Sequence, residues 1–200
     1  ADMATLTWRA LGETIKSIDH NHLMTFHPFG RTDSSWVFHD AAWLDFDMFQ
    51  SGHQDYAQDT QRCAYGEDNW RYIEDDWKRR PVKPTIDGEP SYENIPHGLD
   101  FVQFPIWQAA DARRYAWWSV LAGAFGHTYG ENSVMQFYAP GEKAAYWPKI
   151  SWQDGLQAPG GGQMRFLKDL ILSRPYFERV PDQSLIVGNG TRYDRVAAAR

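Results

Sequence analysis

Apolar side chains recur every three or four residues along several stretches of the chain, which is the spacing of one face of a helix. Before the first stretch stands Asp2, a residue type that caps the N-termini of helices. In another stretch, Trp70, Ile73 and Trp77 share one face. The pattern predicts helices over residues 2–17, 111–121 and 163–173 and over most of 56–80.

Short β-type runs lie between these helices and end at Gly, Pro, Asn or Asp, which interrupt strands. Because helices separate the runs, we expect parallel strands joined by right-handed crossovers. The predicted strands cover residues 22–28, 43–50 and 82–87, with a fourth strand and its loop within 124–137.

Four strand–helix units amount to half of a (β/α)8 barrel, or TIM barrel, a fold that takes about 250 residues when complete. The chain starts on a helix, so we expect that its strand, and with it the first half of the barrel, lies upstream. An open doubly wound sheet is the structural alternative. A nucleotide-binding version of that sheet is disfavoured, because no GxGxxG follows a strand and the glycines at 160–162 lack a P-loop lysine.

Aromatic residues are unusually frequent, since 10 Trp, 10 Tyr and 11 Phe make up 16% of the chain. They indicate either a large aromatic core or a cleft in which flat rings stack on sugars. Many of them lie beside Gly, Pro, Asp and His rather than in apolar runs, which favours the cleft. The net charge is −6 and no cluster of Lys and Arg is interleaved with aromatics, so we expect no nucleic-acid partner.

The single cysteine, Cys63, excludes an internal disulfide and a cysteine-based metal cluster. No run of about 18 apolar residues exists, so we expect no membrane span. The chain begins at Ala1 without an initiator methionine or a signal peptide. We therefore expect a processed or truncated N-terminus, which leaves the compartment open.

One carboxylate stands out by its position. The third predicted strand ends in Asp87-Gly88-Glu89-Pro90, where Gly and Pro break the strand directly around a glutamate. In parallel α/β folds, the loops after the C-terminal ends of the strands build the active site. A glycosidase needs two carboxyl groups at the scissile bond, about 5–5.5 Å apart for retention and about 6.5–9.5 Å for inversion. Glu89 is the first candidate for one of them, the alternative being a solvated loop carboxylate.

Three other carboxylates could assist. Asp45 and Asp47 share one face of the second strand by alternation. Asp45 is a fallback acid/base, although orienting a neighbour or binding a sugar hydroxyl is the preferred interpretation. Asp87 shares a face with Glu89 and could tune its pKa or make a buried structural hydrogen bond.

Histidines and aromatic residues complete the predicted rim of the site. His27, His53 and His127 follow three different strands; three histidines can bind zinc, but no HxH or HExxH spacing is present. We therefore expect hydrogen bonds to sugar hydroxyls, with no metal and no cofactor. No GxSxG elbow supports a serine hydrolase. The remaining substrate-binding candidates are Gln50, Tyr92, Tyr129, Trp36 and Trp43.

Four blocks of the chain together resemble one family. They cover residues 22–53, 83–96, 111–137 and 152–186, and include WLDFDMFQSGH, DGEPSYE and GHTYGEN. These blocks resemble the apiosidase-like glycoside hydrolases, glycoside hydrolase family 140. The resemblance implies a catalytic (β/α)8 barrel with a general acid/base after strand 4 and a nucleophilic glutamate after strand 7. A small β-sandwich, called a putative collagen-binding domain, usually follows the barrel.

Mapped onto this sequence, the resemblance makes the four predicted strands strands 5 to 8 and makes Glu89 the nucleophile. The family's strand-4 acid is an aspartate in a Gly-Gly-Asp type turn, and no such turn is present, so we expect it upstream of Ala1. Residues 1–187 would then be the C-terminal half of the barrel. Residues 188–200 would be a linker or the start of the following domain.

The implied function is a bacterial glycosidase, periplasmic or secreted, that acts on plant cell-wall polysaccharide, with apiose-bearing pectic side chains as substrate. Cleavage would be retaining, through a glycosyl–Glu89 intermediate. The expected partners are the oligosaccharide or polysaccharide substrate and the missing N-terminal half of the barrel. The alternatives are a non-catalytic carbohydrate-binding or structural module on the same fold and, more weakly, a zinc hydrolase.

Overall fold

The computed structural model describes residues 2–59, 65–99 and 105–200, which form a four-stranded sheet flanked by helices. The strands are β1 (Thr32–Asp33), β2 (Asp47–Gln50), β3 (Thr85–Asp87) and β4 (Gly126–His127). The helices are α1 (Met3–Ile18), α2 (Ser35–Phe38), α3 (Trp70–Lys78), α4 (Ala109–Ala122), α5 (Asn132–Met135), α6 (Trp152–Gly155) and α7 (Pro159–Leu172). Within the described ranges, no helix is both long and apolar enough to cross a membrane.

The sheet has the order β1-β2-β3-β4, and β2, β3 and β4 are parallel. Phe49, Asp87 and His127 lie side by side across these three strands. The loops that follow the three strands therefore leave the same edge of the sheet. The α/β class and the mainly parallel pairing are confirmed. Strand β1 lies where no strand was predicted, and it pairs antiparallel with β2.

The predicted strand over 22–28 is not formed. This segment is extended and lies beside residues 45–46, but the Asp45 carboxylate accepts the Met24 backbone N–H at 2.6 Å and the Thr25 hydroxyl donates to the Phe46 carbonyl at 2.6 Å. Only the Asp45 N–H to Met24 carbonyl bond, at 2.8 Å, joins the two backbones there. Because side chains take the ladder positions, β2 begins at Asp47, four residues later than predicted.

Helices α1, α4 and α7 are confirmed, with shifted ends. Asp2 caps α1 as expected by accepting the Thr5 N–H at 2.7 Å. Helix α7 begins four residues before its predicted start, so the glycines at 160–162 lie in its first turn. Of the long helix predicted over 56–80, α3 covers only Trp70–Lys78, and residues 60–64 of that stretch lie outside the described residues.

Aromatic side chains fill much of the core. Phe49 of β2 stacks on Tyr72 of α3 with ring centroids 4.7 Å apart and an interplanar angle of 11°. Trp43 packs with Phe38 below α1, where a Cβ at Gly12 would collide with the Trp43 indole. Trp43 is only 4% exposed. It therefore belongs to the core, and the prediction that it binds substrate is wrong.

Three buried carboxylates, Asp33, Asp47 and Asp76, lie near one another on the side of the sheet that faces α2 and α3. Burial, and next the charge of Asp76, raise the pKa of Asp33 well above its usual range. Burial likewise raises the pKa of Asp76 to about 6, although the Thr85 hydroxyl donates to its carboxylate at 2.6 Å. Protonated forms of both groups are thus favoured by folding.

We predict that the unfolding free energy falls as the pH rises from about 4 through about 6, because a raised folded-state pKa stabilises the fold fully below the unfolded pKa and that stability is lost as the pH rises through the folded pKa. The rise in the pKa of Asp76 on folding corresponds to a contribution of about 3 kcal/mol to the unfolding free energy. Asp33→Asn keeps an acceptor for the Ser35 N–H and should flatten the dependence in chemical denaturation series. The exposed Asp169→Asn is the control, and equal slopes in both variants would contradict the prediction.

Candidate active site

Glu89 lies in the loop directly after β3, at the edge where β2, β3 and β4 end. The backbone is held to the end of β2 on both sides of it: the Gly88 N–H donates to the Phe49 carbonyl at 2.8 Å, and the Gly52 N–H donates to the Glu89 carbonyl at 3.0 Å. A side chain at Gly88 would collide with Met48. Glycine at position 88 therefore lets the loop approach β2 this closely without displacing the Met48 side chain.

Each carboxylate oxygen of Glu89 has a histidine partner. His53 Nε2 is 3.0 Å from Oε1, and His27 Nε2 is 3.3 Å from Oε2. The hydrogen bond from His53 lowers the pKa of Glu89 below its usual range, and the charges of both histidines add to this, while burial opposes it. The Glu89 side chain is 26% exposed. It is thus an ionised carboxylate that a substrate can reach.

The surrounding loops hold His53 in place. Its carbonyl accepts the Trp107 indole N–H at 3.0 Å and the Gly98 N–H at 2.6 Å, and its ring meets the edge of Tyr92 at 5.1 Å between centroids. The preceding residue, Gly52, has φ of +83°, a conformation that favours glycine. His53 Nδ1 is buried without a hydrogen-bond partner among the described residues. Nε2, which faces Glu89, carries the N–H of this hydrogen bond.

Asp87 supports the site from behind and does not contact the Glu89 carboxylate. It is fully buried and accepts from the Ser51 hydroxyl at 2.7 Å, from Asn69 Nδ2 at 3.0 Å and from the backbone N–H of Glu89. Asn69 also donates to the Tyr115 carbonyl at 3.0 Å. Burial raises the pKa of Asp87 to about 6. Of its two predicted roles, the buried structural hydrogen bond is the one its contacts support.

Asp45 is far from Glu89. Its carboxylate pairs with Lys16 at 2.6 Å and accepts the Met24 N–H. Asp45 precedes β2. Because Asp47 pairs with Thr85, Asp45 lies level with Lys83, at the opposite end of the parallel strands from Glu89. Six residues of extended chain separate these levels by about 20 Å. Two carboxyl groups so far apart cannot act on one glycosidic bond, so the fallback assignment of Asp45 as acid/base is wrong.

Like His27 and His53, Gln50 and Tyr92 lie near Glu89, whereas the predicted rim residues His127, Tyr129 and Trp36 have partners elsewhere. Burial first, then the charge of Glu89, raise the pKa of Tyr92 to about 12, so its phenol stays protonated. His127 Nδ1 lies 2.9 Å from the Ser119 hydroxyl of α4, and Tyr129 donates to Glu93 at 2.5 Å. Trp36 stacks on Tyr72 with centroids 6.1 Å apart.

A groove of about 600 Å³ opens beside Glu89. Sequence reasoning missed two of its aromatic walls, Trp8 and Phe29. Phe29 is 90% exposed and stands between Pro28 and Gly30, a turn context that could have been noticed. The other lining residues are Thr25, Phe26, His27, Pro28 and Gln50. Across the described ranges, no three His, Cys, Asp or Glu side chains are grouped so that they could hold a metal ion.

The chain is similar to known proteins in sequence and in fold. Residues 1–178 match the family described as "Apiosidase-like, catalytic domain". A solved structure named "Glycoside hydrolase" is 55% identical with a TM-score of 0.93, and the match covers 100% of this chain and 46% of that one. No curated protein sequence matches the chain.

A second solved structure, a glycoside hydrolase family 5 protein from Bacteroides vulgatus ATCC 8482, is 52% identical with a TM-score of 0.91; the match covers 96% of this chain and 43% of that one. The chain therefore spans less than half the length of both neighbours. The family match covers most of the chain, and both neighbours are glycoside hydrolases. The chain belongs to the family of apiosidase-like catalytic domains.

Proposed function

We propose that this chain is part of a glycosidase that cleaves apiose-containing glycans of plant cell-wall pectin with retention of configuration, outside the bacterial cytoplasm, and that Glu89 is its nucleophile. The observation that carries the assignment is the Glu89 carboxylate itself. It stands at the end of a parallel strand, faces a groove, and is kept ionised by His53 and His27. A carboxylate with a lowered pKa is suited to attack rather than to donate a proton.

In the first step, a Glu89 oxygen attacks the anomeric carbon, a glycosyl ester forms, and the bond to the leaving oxygen breaks. A general acid protonates that oxygen. In the second step, the same group, now a base, takes a proton from water, whose oxygen displaces Glu89 and restores the original configuration. His53 and His27 hold the carboxylate in place, so that little reorganisation is needed when its charge is consumed.

We propose that the general acid and the rest of a (β/α)8 barrel come from outside residues 1–200. Two apolar surfaces at opposite ends of the sheet support this. At the first end, α1 and the neighbouring extended segment expose Met3, Ile18 and Leu23. At the other end, a groove of about 570 Å³ runs beside β4, lined by side chains that include Val120, Met164, Leu167 and Ile171. Closing a barrel would cover both surfaces at once.

The test is to follow hydrolysis of an apiose-bearing pectic oligosaccharide by proton NMR, using the protein with its barrel complete. Release of the sugar in its original anomeric form, before it equilibrates in water, is expected. An oligosaccharide with another pentofuranose in place of apiose is the control substrate. First release of the inverted anomer would contradict the nucleophile assignment, and equal cleavage of both substrates would contradict the choice of sugar.

A further inference from the structure

Glu67 is a fully buried carboxylate to which the sequence gives no role. It lies in the turn before α3, in the stretch whose pattern predicted a helix. We propose that Glu67 is a positioning residue for the active site, which fixes the loop carrying His53, and that residues 179–200 complete its surroundings. The inference deepens the proposed function, because it concerns how Glu89 is kept in its working state.

Glu67 has donors from three separate parts of the chain. Its Oε1 accepts the Tyr56 backbone N–H at 2.9 Å and the Tyr193 hydroxyl at 3.0 Å, and its Oε2 accepts Arg114 Nη2 of α4 at 2.8 Å. A buried carboxylate is costly without such partners, and charge-assisted hydrogen bonds are stronger than neutral ones. The three donors thus hold the Glu67 carboxylate in one position, and the carboxylate in turn holds Tyr56.

The Tyr56 amide lies three residues after His53, and the loop between them is tied down a second time. Asp55 lies 2.9 Å from His97 Nδ1, and the His97 ring stacks on Trp107 with centroids 3.7 Å apart. The Trp107 indole donates to the His53 carbonyl at 3.0 Å. Glu67 on one side and this stack on the other therefore fix the backbone from which His53 reaches Glu89.

Residues 179–200, which we call the C-terminal strap, lie outside the residues that match the family. The strap crosses α3 and α4: the Trp118 indole donates to the Arg195 carbonyl at 2.8 Å, and the Arg195 guanidinium pairs with Glu74 at 3.0 Å and lies 3.4 Å from the Trp70 ring centroid. Tyr193, which contacts Glu67, is part of the strap. The strap is therefore connected, through Glu67, to the loop that carries His53.

The experiment compares Glu67→Gln with Glu74→Gln in the protein with its barrel complete. Both variants neutralise a glutamate that pairs with an arginine, but Glu74 pairs with Arg195 of the strap, whereas Glu67 also binds the His53 loop. We expect Glu67→Gln to lower kcat/KM by about tenfold, as a small displacement of an active-site group does. As His53 moves away, the acid limb of the pH profile should shift to higher pH, and amide exchange at residues 54–58 should speed up.

Glu74→Gln should leave the pH profile and the exchange of residues 54–58 unchanged even if it lowers the Tm. Equal effects of the two variants, or a lower Tm in Glu67→Gln with an unaltered profile and exchange, would overturn the proposal. If Glu67→Gln does not fold, Tyr193→Phe removes one donor and should give the same changes on a smaller scale. If the wild type cleaves no glycoside, the proposed function fails, and the amide exchange alone decides the role of Glu67.

Discussion

Glu89→Gln should reduce glycoside turnover by about 10⁴-fold or more, which is the scale of losses seen when a covalent nucleophile is removed. The amide can still accept the hydrogen bond from His53, so the loop after β3 should keep its conformation and sugar binding should survive. What is lost is the negatively charged carboxylate oxygen that attacks the anomeric carbon and forms the glycosyl ester. The measurement is steady-state kinetics on a pectic oligosaccharide, with circular dichroism to confirm folding.

The exposed Glu178→Gln is the control for this substitution and should retain wild-type turnover. Glu89→Ala offers an independent check, because azide can enter the vacated space and attack the anomeric carbon in place of the carboxylate. A glycosyl azide of inverted configuration should then accumulate. Near-native turnover by Glu89→Gln would remove Glu89 as the nucleophile.

Residues 1–200 expressed alone should show no glycosidase activity and should self-associate. Helix α1 exposes apolar side chains on the face turned away from Trp43, and β4 is a two-residue strand beside an apolar groove. Unpaired sheet edges and apolar patches of this kind favour association with other chains. Without the proposed acid, Glu89 also has no group to protonate the leaving oxygen.

The measurements are mass by light scattering and hydrolysis of pectic oligosaccharides, with the complete-barrel protein as the active reference. Ile15→Lys on the exposed side of α1 should reduce the association of the fragment without restoring activity. A monomeric fragment with full activity would show that the barrel proposal is wrong. A carboxylate within these 200 residues would then be the acid, and it would not be Asp45.

Local chemistry explains why part of the site could be predicted. The glycine and the proline on either side of Glu89 interrupt the strand whatever the rest of the fold is. The glutamate therefore follows the strand directly. The Asp2 cap and the apolar faces of α1 and α4 likewise depend on neighbours within a few residues. Features that depend only on neighbouring residues can therefore be predicted correctly from the sequence.

Competition between partners explains the errors. An extended run at 22–28 could form a strand, but the Asp45 carboxylate binds the Met24 N–H that a ladder would use. An aromatic residue beside polar ones could line a cleft, but a glycine on α1 leaves room for Trp43 in the core. In both cases the deciding partner lies some 20 to 30 residues away, and nothing in the local pattern identifies it.

The sequence by itself determined that this chain is an α/β protein of the apiosidase-like family with a glutamate at the end of a strand. Only the tertiary structure decided which groups surround that glutamate. His27 and His53 converge on Glu89 from different loops, and Glu67 reaches Tyr56 and Tyr193 from 11 and 126 positions away in the chain. The physical reason is that pKa and orientation depend on burial and on contacts across the fold, which residue order does not specify.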